Sequence, residues 1–145
     1  MAFPVHRMDD AEVAAYLAQV RHAIVATHRS DGPPQLSAVW FVYSADQLHF
    51  TMDRASAKYR NLRRDPRIAV CVDAGHPDAR SVNLYGTATL DESGSAHVDA
   101  LHRQIAQRYA SSEADAERYV QLAEAEGPVV LVSVTPERIV ALDYN

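Results

Sequence analysis

Residues 48–74 read LHFTMDRASAKYRNLRRDPRIAVCVDA, and they predict a strand, a turn, a helix and a second strand. The outer parts of this stretch are apolar and rich in strand-forming residues. Between them the spacing changes, because Tyr59 and Leu62 lie three residues apart and Pro66 closes the segment. The pattern predicts a short helix that begins near Ser56 and carries a cluster of cations.

The start of this helix is a candidate site for a phosphate group. A helix N-terminus leaves backbone N–H groups without partners and carries partial positive charge, so it binds anions. The Ser56 hydroxyl is placed to cap the helix or to bond a phosphate oxygen, and Lys58 and Arg60 lie within reach. Thr51 adds a hydroxyl at the end of the preceding strand. The alternative is a solvated basic face, which fits best the arginines late in the helix.

The composition is that of one globular domain spanning residues 1–145, with 48% hydrophobic and 23% charged residues. The formal net charge of −5 argues against nucleic acid as a partner. The first ten residues contain no apolar run long enough for a signal peptide, and no segment approaches a membrane span. We therefore expect a cytoplasmic protein without membrane contact.

Few side chains suggest chemistry of their own. Cys71 is the one cysteine and lies in an apolar run, which predicts a buried structural thiol. His97 and His102 are five residues apart and do not share a helix face, so no metal site is predicted. The nucleotide-binding, hydrolase and zinc-protease motifs are absent from the sequence. A chain that binds phosphate without an evident acid, base or nucleophile points to a cofactor that performs the reaction.

The rest of the chain predicts strands in hairpin order with helices around them. A helix from Asp9 or Asp10 to about Val20 comes first, and Asp31-Gly32 supplies a later turn. The other predicted elements are strands at 23–27, 35–43, 80–90, 127–135 and 138–144 and helices at about 95–110 and 113–125. This is an α+β pattern, mainly antiparallel β, in which consecutive hairpins close into a barrel.

Four runs, DGPPQLSAVWFVY, LHFT, SAKYRNLRRDPRIAV and LYGTATL, resemble the flavin and deazaflavin oxidoreductases with the split β-barrel of pyridoxamine 5'-phosphate oxidase. The resemblance covers about residues 23–90 and is most specific in AKYRNLRRDPR. Within that superfamily the chain is most similar to the actinobacterial branch that uses the deazaflavin coenzyme F420. The resemblance implies a six-stranded split barrel with peripheral helices, and a homodimer with cofactor sites at the subunit interface. It also implies hydride transfer to a small unsaturated substrate.

Carried over residue by residue, the resemblance implies a site built from two runs of the sequence. The cofactor ring would face Ser37, Ala38, Val39 and Trp40. The ribityl chain and phosphate would be held by Thr51, Ser56, Ala57, Lys58 and Asn61. The phosphate or the tail beyond it would lie near Arg54 and Arg60, and the other subunit would contribute Arg80. For Trp40, a place in the core or an interface is an equal alternative.

The resemblance leaves the substrate and part of the mechanism open. The run ARSVNLYG departs from the family pattern at four positions, which are Ala79, Ser81, Asn83 and Tyr85. Either solvent or Tyr85 would protonate the product. FMN is the alternative cofactor; it ends at the phosphate, whereas F420 continues into carboxylates that suit surplus arginines. A non-catalytic carrier of the cofactor or of haem is a third possibility.

Overall fold

The computed structural model describes residues 4–145, which form eight strands and four helices. In chain order these are β1 (His6–Arg7), α1 (Asp10–Leu17), β2 (Ala23–Thr27), β3 (Gln35–Val39), β4 (Val42–Ser44), β5 (Gln47–Met52), α2 (Ala57–Arg64), β6 (Arg67–Asp73), β7 (Arg80–Asp91), α3 (Ala96–Tyr109), α4 (Glu113–Ala125) and β8 (Val130–Asp143). Within residues 4–145, none of the helices has the length and apolar character needed to span a bilayer.

The strands form one antiparallel sheet in the order β3-β2-β6-β7-β8-β5-β4, and the short β1 pairs with β8. The two edge strands, β3 and β4, are consecutive in the chain and are separated only by Trp40 and Phe41. Because this link is so short, the end of β3 lies next to the start of β4, and the sheet curls into a barrel that is split between these two edge strands. The predicted α+β fold is confirmed, with eight strands in place of six.

The barrel interior is filled by the inward-facing side chains of the long strands. Among them are Val25, Phe50, Val70, Leu84 and Val132. Helix α1 adds two fully buried side chains, Tyr16 and Leu17, after a capping box formed by Asp9 and Glu12. The helix ends earlier than predicted, so that Val20 lies beyond it and is exposed.

The two predicted C-terminal strands are one continuous strand, β8, which pairs with β7 along its length. The separation predicted at Pro136 is wrong. Tyr85 pairs with Arg138 and Gly86 pairs with Pro136, so Glu137 is an extra residue on β8 and forms a β-bulge. A bulge tolerates proline, because the backbone hydrogen bonding between the two strands is already interrupted there.

The prediction of a buried Cys71 is also wrong, because the side chain is exposed. Ile68, Val70 and Val72 point into the barrel, and the alternation of β6 turns Cys71 outward. An apolar run on both faces of a strand does not reveal which face meets the core. Desolvation of the thiol and the nearby Asp73 raise the pKa of Cys71, which disfavours the reactive thiolate.

Candidate cofactor-binding site

Helix α2 begins where the sequence predicts. Ser56 is its N-cap, and its hydroxyl accepts a hydrogen bond from the Tyr59 N–H (3.3 Å) while donating to the Asp53 carbonyl (2.9 Å). The predicted capping role of Ser56 is therefore confirmed. Because both bonds stay within the chain, the hydroxyl orders the turn between β5 and α2.

The first turn of α2 presents donors that the chain itself does not use. Within residues 4–145, the N–H groups of Ala57 and Lys58 have no hydrogen-bond acceptor, and the Lys58 ammonium has no acceptor or ion-pair partner. Lys58 is only partly exposed. Burial lowers the pKa of Lys58 below its ordinary value, and the Asp53 carboxylate offsets part of this shift. An incompletely solvated cation beside free N–H groups favours an anionic ligand.

Lys58 lies on a groove made of two adjoining cavities, each of about 200 Å³. The first cavity is lined by Ala38, Val39, Trp40, Thr51, Lys58, Ile105 and Tyr119. The second cavity shares Thr51, Lys58 and Tyr119 with the first, and it extends to Asp53 and His102. The structure thus brings together five of the predicted site residues, from β3, the β3–β4 link, β5 and α2.

Trp40 is held in an aromatic cluster along one wall of the groove. Its indole stacks on the Tyr109 ring, with centroids 5.0 Å apart and planes within 2°, and it meets the Tyr119 ring at 4.7 Å. The Tyr109 hydroxyl accepts from the Phe41 N–H (3.2 Å), which fixes the link between β3 and β4. Trp40 therefore packs within its own chain and also borders the groove, and its contact with a cofactor ring stays a prediction.

Helices α3 and α4 supply groove residues that the sequence reading missed. They are Ile105 and His102 on α3 and Tyr119 and Ala123 on α4. His102 is fully buried, its Nδ1 lies 3.0 Å from the Thr51 hydroxyl, and burial lowers its pKa. The sequence did contain a signal that His102 is buried, since it falls on the apolar face of α3 formed by Val98, Leu101 and Ile105.

The arginines of the α2 region are unequally neutralised. The Arg54 guanidinium lies 3.1 Å from the Glu92 carboxylate, which Arg63 also approaches at 3.8 Å. Arg60 is exposed and donates to the Ala55 carbonyl (3.1 Å), with no carboxylate within ion-pair distance among residues 4–145. Arg60 thus keeps a charge that no carboxylate within residues 4–145 neutralises, as does Arg64, which donates to the His28 carbonyl and the Asn61 side chain.

Besides Arg54, Ser56, Ala57 and Arg60, four predicted residues do not line the two cavities of the groove. Asn61 is buried and donates to the Thr27 hydroxyl (3.1 Å), which ties α2 to β2. The Ser37 hydroxyl accepts from the Gln35 side chain (3.0 Å). Arg80 binds Asp78 at 2.6 Å and lies over the Tyr16 ring. Tyr85 is exposed on the outer surface of the barrel, where its role as a proton donor stays a prediction.

The family model of pyridoxamine 5'-phosphate oxidase matches residues 9–143, nearly the whole chain. The chain belongs to the pyridoxamine 5'-phosphate oxidase family. The match extends the resemblance predicted from residues 23–90 to the N-terminal helix and to β8. The residues that line the groove all fall within the part of the chain that matches the pyridoxamine 5'-phosphate oxidase family.

Solved structures agree with this assignment. A conserved hypothetical protein from Mycobacterium tuberculosis is 26% identical, with a TM-score of 0.81, over 95% of this chain and 86% of that one. A protein described as an F420 reductase is 25% identical, with a TM-score of 0.66, over 86% of this chain and 93% of the other. An FAD-binding protein from Mesorhizobium loti shares the fold at 19% identity, with a TM-score of 0.72 and 98% of each chain covered.

Proposed function

We propose that this chain is an F420-dependent oxidoreductase that transfers a hydride between the deazaflavin and a small unsaturated organic molecule. The observation that carries the proposal is the Lys58 ammonium, partly buried on the groove beside the free N–H groups of Ala57 and Lys58. This donor set suits a phosphorylated ligand. The similarity to an F420 reductase supports a deazaflavin as that ligand.

The chain's own residues would bind, orient and shield the cofactor, which supplies the hydride-carrying ring when bound. Lys58 and the first N–H groups of α2 would hold the phosphate. The segment Ala38–Trp40 would lie along the ring, and the packing of Trp40 on Tyr109 and Tyr119 gives it a rigid apolar wall. Such a wall excludes water and fixes the position of the ring, which is a large part of what a protein contributes to hydride transfer.

The distribution of charge favours F420 over FMN. FMN ends at its phosphate, whereas F420 continues into a tail of carboxylates. The exposed Arg60, two residues after Lys58, donates to the Ala55 carbonyl just before α2 and has no carboxylate partner within residues 4–145, so its charge is available to that tail. Arg54 and Arg63 share the single Glu92 carboxylate, so the α2 region as a whole keeps excess positive charge.

Titration of the apo-protein with F420 and with FMN, followed by cofactor fluorescence at two salt concentrations, tests the proposal. We expect F420 to bind about fivefold more tightly than FMN, since an exposed ion pair contributes up to about 1 kcal/mol. Added salt should reduce this preference. Arg60→Ala should abolish the preference while changing FMN affinity by less than about twofold.

Two results would overturn the proposal and support one of the alternative functions. Tighter binding of FMN, or a purified protein that is yellow with bound FMN, would establish the FMN-dependent alternative. Tight binding of F420 without turnover across a panel of enones and quinones would establish a cofactor carrier.

We further propose that two copies of the chain associate through the outer face of β2, β3, β6 and β7. Opposed residues of paired strands point to the same side of a sheet, so the register places an apolar group on this face. Its members are Ile24, Ala26, Leu36, Ala38, Ala69, Cys71 and Tyr85. Ile24, Leu36 and Tyr85 are 40%, 65% and 45% exposed, which is typical of a protein-binding surface. Ala38 also lines the groove, so a second copy on this face would border the cofactor site.

Leu36→Glu should convert the proposed dimer into a monomer, because it places a charge at the most exposed large side chain of the apolar face. Sedimentation velocity measures the change directly. Cys71 gives a second measurement, since its thiol should react slowly with a thiol reagent in the wild-type dimer and faster in the variant. Leu122→Glu, at an equally exposed position on α4, is the matched control and should change neither measurement. A wild-type protein that sediments as a monomer would rule out this interface.

A further inference from the structure

The hydroxyl group of Tyr119, on α4, is a hydrogen-bond donor that the chain does not use. Tyr119 lines both cavities of the groove, as do Thr51 and Lys58. Its side chain is partly buried, and its hydroxyl forms no hydrogen bond within residues 4–145. Unlike His102 Nε2, this hydroxyl is accessible to solvent, so a ligand can reach it. Because a partly buried tyrosine hydroxyl usually has a partner, a free one on a cavity wall indicates a ligand.

The position of the Tyr119 ring is fixed by packing. Its centroid lies 4.7 Å from that of the Trp40 indole and 5.7 Å from that of the His102 imidazole. Helix α4 packs on α3 through the buried Ala116 and Val120. Since the ring cannot turn away without losing these contacts, the hydroxyl stays close to Trp40, along which the cofactor ring is proposed to lie.

The free donors of the groove include neutral groups, and these suit a neutral oxygen acceptor. Besides the Tyr119 hydroxyl, the Trp40 indole N–H has no acceptor within residues 4–145. Burial raises the pKa of Tyr119 above its ordinary value, so the hydroxyl keeps its proton at pH 7. Asp53 and Glu126 line the second cavity and disfavour a carboxylate next to the phosphate proposed at Lys58. The arrangement therefore favours an uncharged molecule that carries a carbonyl oxygen.

We propose that Tyr119 selects the substrate by donating a hydrogen bond from its hydroxyl to a carbonyl oxygen conjugated to the reducible double bond, as in an enone or a quinone. The inference rests on the proposed function and names its substrate class. The carbon β to the carbonyl receives the hydride, and the π electrons shift to the carbonyl oxygen. A proton from solvent then gives the reduced product, and the two electrons come from the reduced cofactor. Tyr119 keeps its own proton, and its hydrogen bond strengthens as negative charge develops on the oxygen.

Tyr119→Phe tests the inference, because it removes the hydroxyl and keeps the ring that packs on Trp40 and His102. The probes are menadione, a quinone, and 2-methylnaphthalene, which has the same two-ring frame without the oxygens. The protein is loaded with oxidised F420, which carries no hydride to transfer, so calorimetry measures affinity without turnover. We expect Tyr119→Phe to weaken menadione binding about tenfold, as for one lost hydrogen bond, and 2-methylnaphthalene binding less than about twofold.

Two further measurements separate substrate binding from cofactor binding. The affinity for F420 itself should change by less than about twofold in Tyr119→Phe. With reduced F420, kcat/KM for menadione should fall about 100-fold, since a donor to a developing oxyanion contributes most in the transition state.

Tyr43→Phe is the matched control. Tyr43 is also partly buried, and burial also raises its pKa, but it lies in another cavity beside Asp10 and Asp46. Its replacement should change neither the affinities nor the reduction of menadione. Thermal unfolding checks that both variants fold.

Equal losses for the two probes in Tyr119→Phe would show that the residue acts only through packing. A loss of F420 affinity as large as that for menadione would show that the hydroxyl binds the cofactor. Either result overturns the inference, as would no loss for menadione. If the wild type binds F420 but binds menadione no more tightly than 2-methylnaphthalene, this inference fails and the proposed function stands. If the wild type does not bind F420, both fail.

Discussion

Replacing Gly86 with alanine is expected to destabilise the fold by on the order of 3 kcal/mol, within the range caused by strain or overpacking in the core. A Cβ at this position would lie 2.0 Å from the Thr135 carbonyl oxygen and 3.0 Å from the Pro136 Cα. These are backbone atoms of β8, so no side-chain rotation relieves the overlap. The strands β7 and β8 would have to separate at the bulge, where Gly86 also pairs with Ile68 on β6.

Urea denaturation and thermal unfolding measure this effect, and the melting temperature should fall by about 10 °C. Gly75→Ala is the matched control. A Cβ at Gly75 meets no atom within 4 Å, but the residue has φ +80, so alanine should cost about 1 kcal/mol through backbone strain alone. Equal losses of stability in Gly86→Ala and Gly75→Ala would contradict the close approach of β7 and β8.

Replacing Lys58 with methionine is expected to weaken F420 binding by about 100-fold, since a hydrogen bond to a charged group contributes up to about 3 kcal/mol. The same change should not destabilise the apo-protein. Methionine has a similar length, and it removes an ammonium that has no partner within residues 4–145 and is partly buried. We therefore expect a melting temperature equal to or above that of the wild type.

Fluorescence titration and thermal unfolding of the same preparations test both parts of this prediction. Arg63→Met is the control on the same helix, because Arg63 contacts the Tyr59 hydroxyl (2.9 Å) and Glu92 instead of lining the groove. It should change F420 affinity by less than about threefold. If Lys58→Met kept wild-type affinity, or if Arg63→Met lost as much, the phosphate site at the start of α2 would be wrong.

The segment around α2 was predictable because its signals are local. Ser56 as N-cap, Pro66 beyond the end and apolar strands on either side define the β5–α2–β6 unit without reference to the rest of the chain. The placement of Lys58 beside Thr51 follows from the short turn between β5 and α2. The family resemblance added Ala38, Val39 and Trp40, which the structure brings to the same cavity.

Other features of the site could not be predicted, because they depend on contacts between distant segments. The sequence spacing of His97 and His102 argued against a metal site but did not show that the His102 ring meets Thr51 across the groove. The partners that occupy Arg54, Arg63 and Asn61 also come from other elements, namely Glu92 at the end of β7 and Thr27 on β2. Which cations remain available to a ligand is decided only after these contacts form.

Hydrophobic periodicity, caps and turn residues determined the sequence of strands and helices and the start of α2, because these act between residues a few positions apart. Tertiary structure decided that β8 passes through Pro136 as one bulged strand, that Cys71 faces outward, and that α3 and α4 complete the groove. Each of these outcomes depends on which surface packs against which. An apolar pattern shows that a face will be covered, and only the folded chain shows what covers it.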